Sequence, residues 1–204
     1  MQPQPPLLNR IRRGVSVHIA HLAHDKPTRV GLPDDLIRIR ASTDAEAVAQ
    51  SYAMSRDNFG RSHWTWARAH DKTGTTKSYV YYWTYGPPWL PGVKFPVMDP
   101  ATKLGAYHVS EVAQVFQTLN VWAHARQYTE ADTKLSDTMS SYWVNFAKTG
   151  DPNGPGLPTW PVFDNTATNP VLYLGTQIQP GPLPNKPGLD FMDAFWSAQL
   201  PPTQ

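Results

Sequence analysis

Tyr142-Trp143-Val144-Asn145-Phe146-Ala147-Lys148-Thr149-Gly150-Asp151-Pro152-Asn153 is the stretch whose reading decides the fold. It closes a helix and turns the chain within a few residues. Leu135, Met139, Trp143 (or Tyr142) and Phe146 recur at the spacing of one apolar helix face. Thr129 and Asp132 stand where a capping box would open that helix, with Asp in place of the usual Glu or Gln. Gly150 suits the position just past the last turn, and Pro152 cannot continue a helix.

Upstream, Ser110 has the makings of an N-cap. Val112, Val115, Phe116 and Leu119 form an apolar stripe behind it. About twenty residues of loop, punctuated by proline and glycine, precede it and lead directly to His108. Ser78–Tyr85 reads as the best strand in the chain, dense in aromatic and β-branched residues and stopped by Gly86-Pro87-Pro88. Ala45–Gln50 is helix-like, with Val48, Tyr52 and Phe59 as its buried face and Gly60 as an interruption. A second helical piece carries Trp64, Trp66 and Ala67 and stops at Gly74. Downstream, short strands are expected at Trp160–Phe163 and Val171–Leu174, then a last helix over Leu189–Gln199.

Composition narrows the function. The 204 residues are 40% hydrophobic and 12% aromatic, enough for a core, and 21 prolines with 13 glycines imply long ordered loops. A net charge of +2, with basic residues dispersed after residue 40, argues against a nucleic-acid partner. No cysteine means no disulfide, thiolate nucleophile or Cys-type zinc site. No apolar run is long enough to span a bilayer. Residues 1–40 are a different text, rich in Arg, Pro and His, without sustained period and without the pattern of a signal peptide. His18, His21 and His24 drift around a helix and have no acid between them, so no metal site is expected there.

Three blocks in order carry a family resemblance. Gly105-Ala106-Tyr107-His108-Val109-Ser110-Glu111, followed by Val115-Phe116, is the first. The second is Tyr142–Asn153, continuing through Leu157-Pro158 into Trp160-Pro161. The strand Tyr79–Tyr85 with the helix-like Ser42–Arg68 completes the set. Together they resemble type B carboxylesterases, the group of cholinesterases and para-nitrobenzyl esterases, over about residues 41–200.

The resemblance implies an α/β-hydrolase fold, a mixed and mostly parallel sheet with flanking helices, of which residues 41–204 are the C-terminal part. It implies carboxylic ester hydrolysis through an acyl-serine, on a small-molecule ester, with no metal and no cofactor. His108 takes the place of the general base. Glu111 reads either as a residue supporting His108 at a helix start favoured by the dipole, or as an exposed first-turn carboxylate. Ser110 is either an accessory to His108 or a plain cap. Trp64, Trp66, Tyr81, Tyr82, Trp83 and Trp89 divide between core and a pocket for acyl or alcohol groups, with most in the core.

The departures are as informative. There is no Gly-x-Ser-x-Gly elbow, no glycine-rich oxyanion segment, and no acid at the family's distance before the histidine. The partner implied is therefore the missing N-terminal half of the same fold. A reading frame that starts late, or is shifted over residues 1–40, would give such a chain. Two rivals stand beside this reading. One is a non-catalytic carboxylesterase-like interaction protein, disfavoured by the intact segment around His108. The other is a small metal-binding protein, which leaves residues 41–200 unexplained.

Overall fold

The computed structural model describes residues 42–86, 88–94, 105–166 and 168–199. His18, His21 and His24, where no metal site is expected, and the whole of segment 1–40 lie outside them. The described residues fall into two compact units, 42–66 with 185–199, and 67–184.

Helix α1 (Asp44–Thr73) opens in the first unit and ends in the second. Its start is a capping box: Thr43 Oγ1 accepts the Glu46 N–H at 3.2 Å. The Glu46 carboxylate in turn accepts the amides of Ser42 (2.6 Å) and Thr43 (3.3 Å). The helix runs unbroken through Gly60, so the expected interruption there is wrong. One helical glycine costs only about 1 kcal/mol relative to alanine. A Cβ at Gly60 would lie 3.0 Å from Leu189 Cδ2, so the missing side chain makes room for the neighbouring helix. The expected buried face is also wrong. Tyr52 and Phe59 are exposed, whereas Ala47 and Trp64 are buried.

That neighbour is α5 (Lys186–Gln199), which starts a turn earlier than expected because Pro187 is harmless in a first turn. Arg61 Nε reaches Asp193 at 3.0 Å, Trp196 Nε1 donates to Asn58 at 2.8 Å, and Lys186 Nζ lies 4.5 Å above the Trp64 ring.

The second unit holds a three-stranded sheet in the order β1-β2-β3. Strand β1 (Tyr81–Trp83) pairs in parallel with β2 (Pro170–Leu174), Tyr81 opposite Leu172 and Trp83 opposite Leu174. Strand β3 (Gln179–Pro182) pairs antiparallel on the other side of β2. Sequence reading missed β3, since Pro180 and Pro182 argue against any strand except an edge. It also placed a strand at Trp160–Phe163. That segment is extended and joins by the Phe163 N–H to the Ser78 carbonyl at 2.8 Å, without becoming a strand. Strand β1 is shorter than Ser78–Tyr85 but flanked by the same partner: Leu172 donates to Val80 and Thr84 donates to Leu174.

Two short helices, α2 (Val112–Val115) and α3 (Leu119–Trp122), precede the long α4 (Glu130–Thr149). In α4 the Thr129–Asp132 capping box is formed, and Gly150 ends the helix with φ 77°, its N–H on the Phe146 carbonyl at 2.8 Å. Leu135, Met139 and Tyr142 are buried, so Tyr142 rather than Trp143 holds the core position, and Phe146 is exposed. They pack with Val115, Trp160, Leu172 and Leu174 into one core. Tyr79, Tyr81, Trp83 and Tyr85, every second residue of the β1 segment, line its edge. The apolar stripe expected behind Ser110 is only half right. Val115 is buried, but Val112 and Phe116 are exposed.

The most recognisable block of the sequence is a structural knot. Asn145 Nδ2 donates to the carbonyls of Pro152 (3.2 Å) and Asn153 (3.4 Å). Asn153 holds Asp151 at 2.8 Å and exchanges two hydrogen bonds with the Trp160 backbone, at 3.0 and 2.7 Å. Trp160 Nε1 then donates to the Val80 carbonyl at 3.0 Å, tying the turn to β1. Elsewhere, Gly86 lies against Gly105. A Cβ on Gly86 would stand 2.7 Å from the Gly105 carbonyl carbon and oxygen, so the two ends of the long loop touch.

Candidate active site

His108 stands exposed in a turn between the long loop and α2, where the sequence places it. The turn is closed by the Ser110 N–H on the Tyr107 carbonyl at 3.1 Å. Its third residue, Val109, has φ 65°. A β-branched residue in the left-handed region is strained, and such a conformation persists only where its surroundings fix it.

The surroundings are aromatic side chains from the core-facing row of β1. Trp83 Nε1 donates to Ser110 Oγ at 2.7 Å, and Tyr81 donates its hydroxyl proton to Glu111 Oε1 at 3.2 Å. Burial pushes the Tyr81 hydroxyl up to about 12, and the charge and hydrogen bond of Glu111 push in the same direction. Tyr81 is therefore a firm donor at neutral pH. The reading of Ser110 as an N-cap is corrected: Glu111 holds the cap position of α2, and neither residue makes a side-chain cap there. The Trp83 indole has claimed the Ser110 hydroxyl instead. Glu111 is half-buried.

Asp132 is the one buried carboxylate among the described residues, and its oxygens are already engaged. It accepts Thr129 N (2.7 Å), Thr129 Oγ1 (2.8 Å) and the Tyr85 hydroxyl (2.6 Å). Burial first, then that hydrogen bond and charge, push the Tyr85 hydroxyl up. This carboxylate anchors α4 to the strand segment and is not available to orient a histidine.

Segment 88–90, before His108, and segment 125–127, after it, pair through a bridge at Trp89 and Arg126. Arg126 is only 5% exposed. Its guanidinium carbon lies 3.2 Å from the Trp89 ring centre, and Tyr107 stacks nearly parallel to Trp89, 6.5 Å away at 9°. Arg126 also donates to the Tyr107 hydroxyl. Sequence reading missed this cluster, and only the Gly-Ala-Tyr-His spacing pointed near it. Of the aromatics assigned to core or pocket, Trp64 is buried, Trp66 is exposed, and Tyr81, Tyr82, Trp83 and Trp89 are half-buried.

Residues 38–191, well over half of the chain, match the model of the Carboxylesterase family. The chain belongs to the carboxylesterase family. Its described residues form an α/β arrangement, a mixed sheet with flanking helices. This carboxylesterase chain is 35% identical to human cocaine esterase over 112 residues, covering 55% of this chain and 18% of that protein. Mouse carboxylesterase 1F is 30% identical over 157 residues, covering 73% of this chain and 26% of its own. A solved PNB esterase is 23% identical, with a TM-score of 0.47, covering 62% of this chain and 23% of that one. The carboxylesterase chain thus spans about a quarter or less of the length of these relatives. Among its described residues no helix is long and apolar enough to cross a membrane.

Proposed function

We propose that this chain is the C-terminal part of a serine carboxylesterase in which His108 is the general base. The observation that carries the reading is the turn itself. An exposed imidazole sits on a strained bend whose following residues, Ser110 and Glu111, are gripped by Trp83 and Tyr81. An immobile histidine open on one side is what proton transfer to and from a substrate oxygen requires. His108 accepts the proton of a serine hydroxyl as that oxygen attacks the ester carbonyl. It then delivers the proton to the departing alcohol, leaving an acyl-serine that water hydrolyses by the same relay. Glu111 supports the turn through Tyr81.

The serine and the acid belong to the N-terminal half of the fold, the partner this reading requires. Val109, Val112, Phe116, Val121 and Trp122 support it, since they are large, apolar and exposed in the segment that begins beside His108. Exposed apolar side chains close together in sequence are what a docking face for more protein needs. The same surface is what the interaction-protein reading would use, so activity has to separate the two.

The test joins the chain to the N-terminal part of a carboxylesterase and follows short-chain nitrophenyl ester hydrolysis. The joined enzyme should be active, and His108→Ala should cut its rate on the order of a thousand-fold. His124→Ala is the control, because that exposed ring rests on the Val121 carbonyl at 3.0 Å. Equal rates for the parent and His108→Ala, with folding intact, would remove His108 from the mechanism. Alone, the 204-residue chain should show no measurable turnover. A rate of ~1 s⁻¹ abolished by a serine-directed inhibitor would mean that it carries its own nucleophile.

A further inference from the structure

We propose that Arg126 is a positioning residue for His108, acting through Tyr107; the inference rests on the reading of His108 as the general base. A strained turn needs both ends fixed. The downstream end is held by Trp83 and Tyr81, as described, and a different set of residues holds the upstream end. Tyr107 immediately precedes His108, and its carbonyl accepts the Ser110 amide that closes the turn. The Arg126 guanidinium lies face-on over Trp89, 3.2 Å from the ring centre, with the Tyr107 ring beside it, its centre 5.4 Å away.

A guanidinium stacked on an indole gains cation–π attraction on that face, and its planar fork still donates in plane. One of them reaches the Tyr107 hydroxyl. The clamp itself cannot slide, because its backbone is pinned on both sides. Leu90 donates to Ala125 and Gln127 donates to Pro88, each at 3.0 Å. Arg126 thus ties the tip of the Tyr107 ring to the Trp89 clamp, and with it the backbone that carries the imidazole. A lysine keeps the charge over Trp89 but has no plane to stack and no fork to aim, so it should replace Arg126 only in part.

The test uses the 204-residue chain with labelled histidine, and reads the imidazole resonance of His108, assigned by its loss in His108→Gln. Hydrogen exchange at the Ser110 amide is read alongside. Arg126→Met should move the His108 resonance toward that of free histidine and speed Ser110 exchange by about ten-fold or more, as local opening does. The resonances of His63, His70 and His124 and the protected amides of α4 should stay where they are. Arg126→Lys should recover part of the protection. Tyr107→Phe, which removes only a hydroxyl, should loosen the turn in a milder form and decides the matter if Arg126→Met does not fold. An unchanged His108 signal and unchanged Ser110 exchange in a folded variant would overturn the proposal. So would a shift of all four histidines together, which would make Arg126 a general support of the fold. Neither readout depends on ester hydrolysis. A turn that loosens as expected while His108→Ala leaves the joined enzyme active would sink the general-base reading alone.

Discussion

Val109 shows what the sequence could not disclose. Nothing about a valine announces φ 65°, a region that favours glycine, so the turn beside His108 was legible as a place but not as a conformation. Ser110 shows the complementary failure. Serine favours a helix start, but Glu111 takes the cap position and a distant indole binds the Ser110 hydroxyl. The strain can be measured. Val109→Gly should raise stability by about 1 kcal/mol, seen as a higher urea midpoint at unchanged slope, because glycine adopts this conformation without steric cost. The gain is net of the greater freedom that glycine has in the unfolded chain. A lower midpoint would mean that the Val109 side chain contributes packing greater than its strain. The Arg126 cluster was invisible for a different reason: its three members come from three separate segments, and no periodicity links them.

At the scale of elements, the helix boundaries that rest on local chemistry were legible. Thr129, Asp132 and Gly150 sit where the sequence places them, since caps are decided by residues a turn apart. What failed was decided at longer range: the continuity of α1 through Gly60, and the edge strand β3 with its prolines. Asp132 does more than cap. It satisfies the backbone and side chain of Thr129 and the Tyr85 hydroxyl together. Asp132→Ala should therefore cost about 2–3 kcal/mol, more than the ~1 kcal/mol of an ordinary cap, since it leaves Tyr85 without its acceptor. Denaturant unfolding of Asp132→Ala against the double variant with Tyr85→Phe checks the excess. The double variant should recover part of the loss, and strict additivity would show that the two groups do not depend on each other.

The whole second unit is aromatic, and that makes it sensitive to alkali. Burial is the first cause holding the hydroxyls of Tyr81 and Tyr142 up at about 12 against an ordinary 10.0, and it raises Tyr79, Tyr85, Tyr128 and Tyr173 as well. Each of these groups keeps its proton more tightly in the folded chain than in the unfolded one. Below pH 10 both states are protonated and stability is complete. As pH rises beyond 10 the unfolded chain releases its protons first, and stability falls until the folded pKa near 12 is passed. The urea midpoint should drop between about pH 9 and about pH 11, and less steeply in Tyr81→Phe. Equal midpoints at the two pH values would contradict this. The α/β class and the order of elements were legible here because strand, knot and helix each carry a local signature.

The contact of Gly86 with Gly105 separates what lies between them from what lies outside. Once the two ends of a loop touch, its length is nearly free: each doubling adds only about 0.6 kcal/mol of closure entropy. Trp89 and Leu90 are held by the bridge to segment 125–127. A change of loop length therefore carries little entropic penalty, and the contact at Gly86 still sets where the chain re-enters the fold at Gly105, three residues before His108.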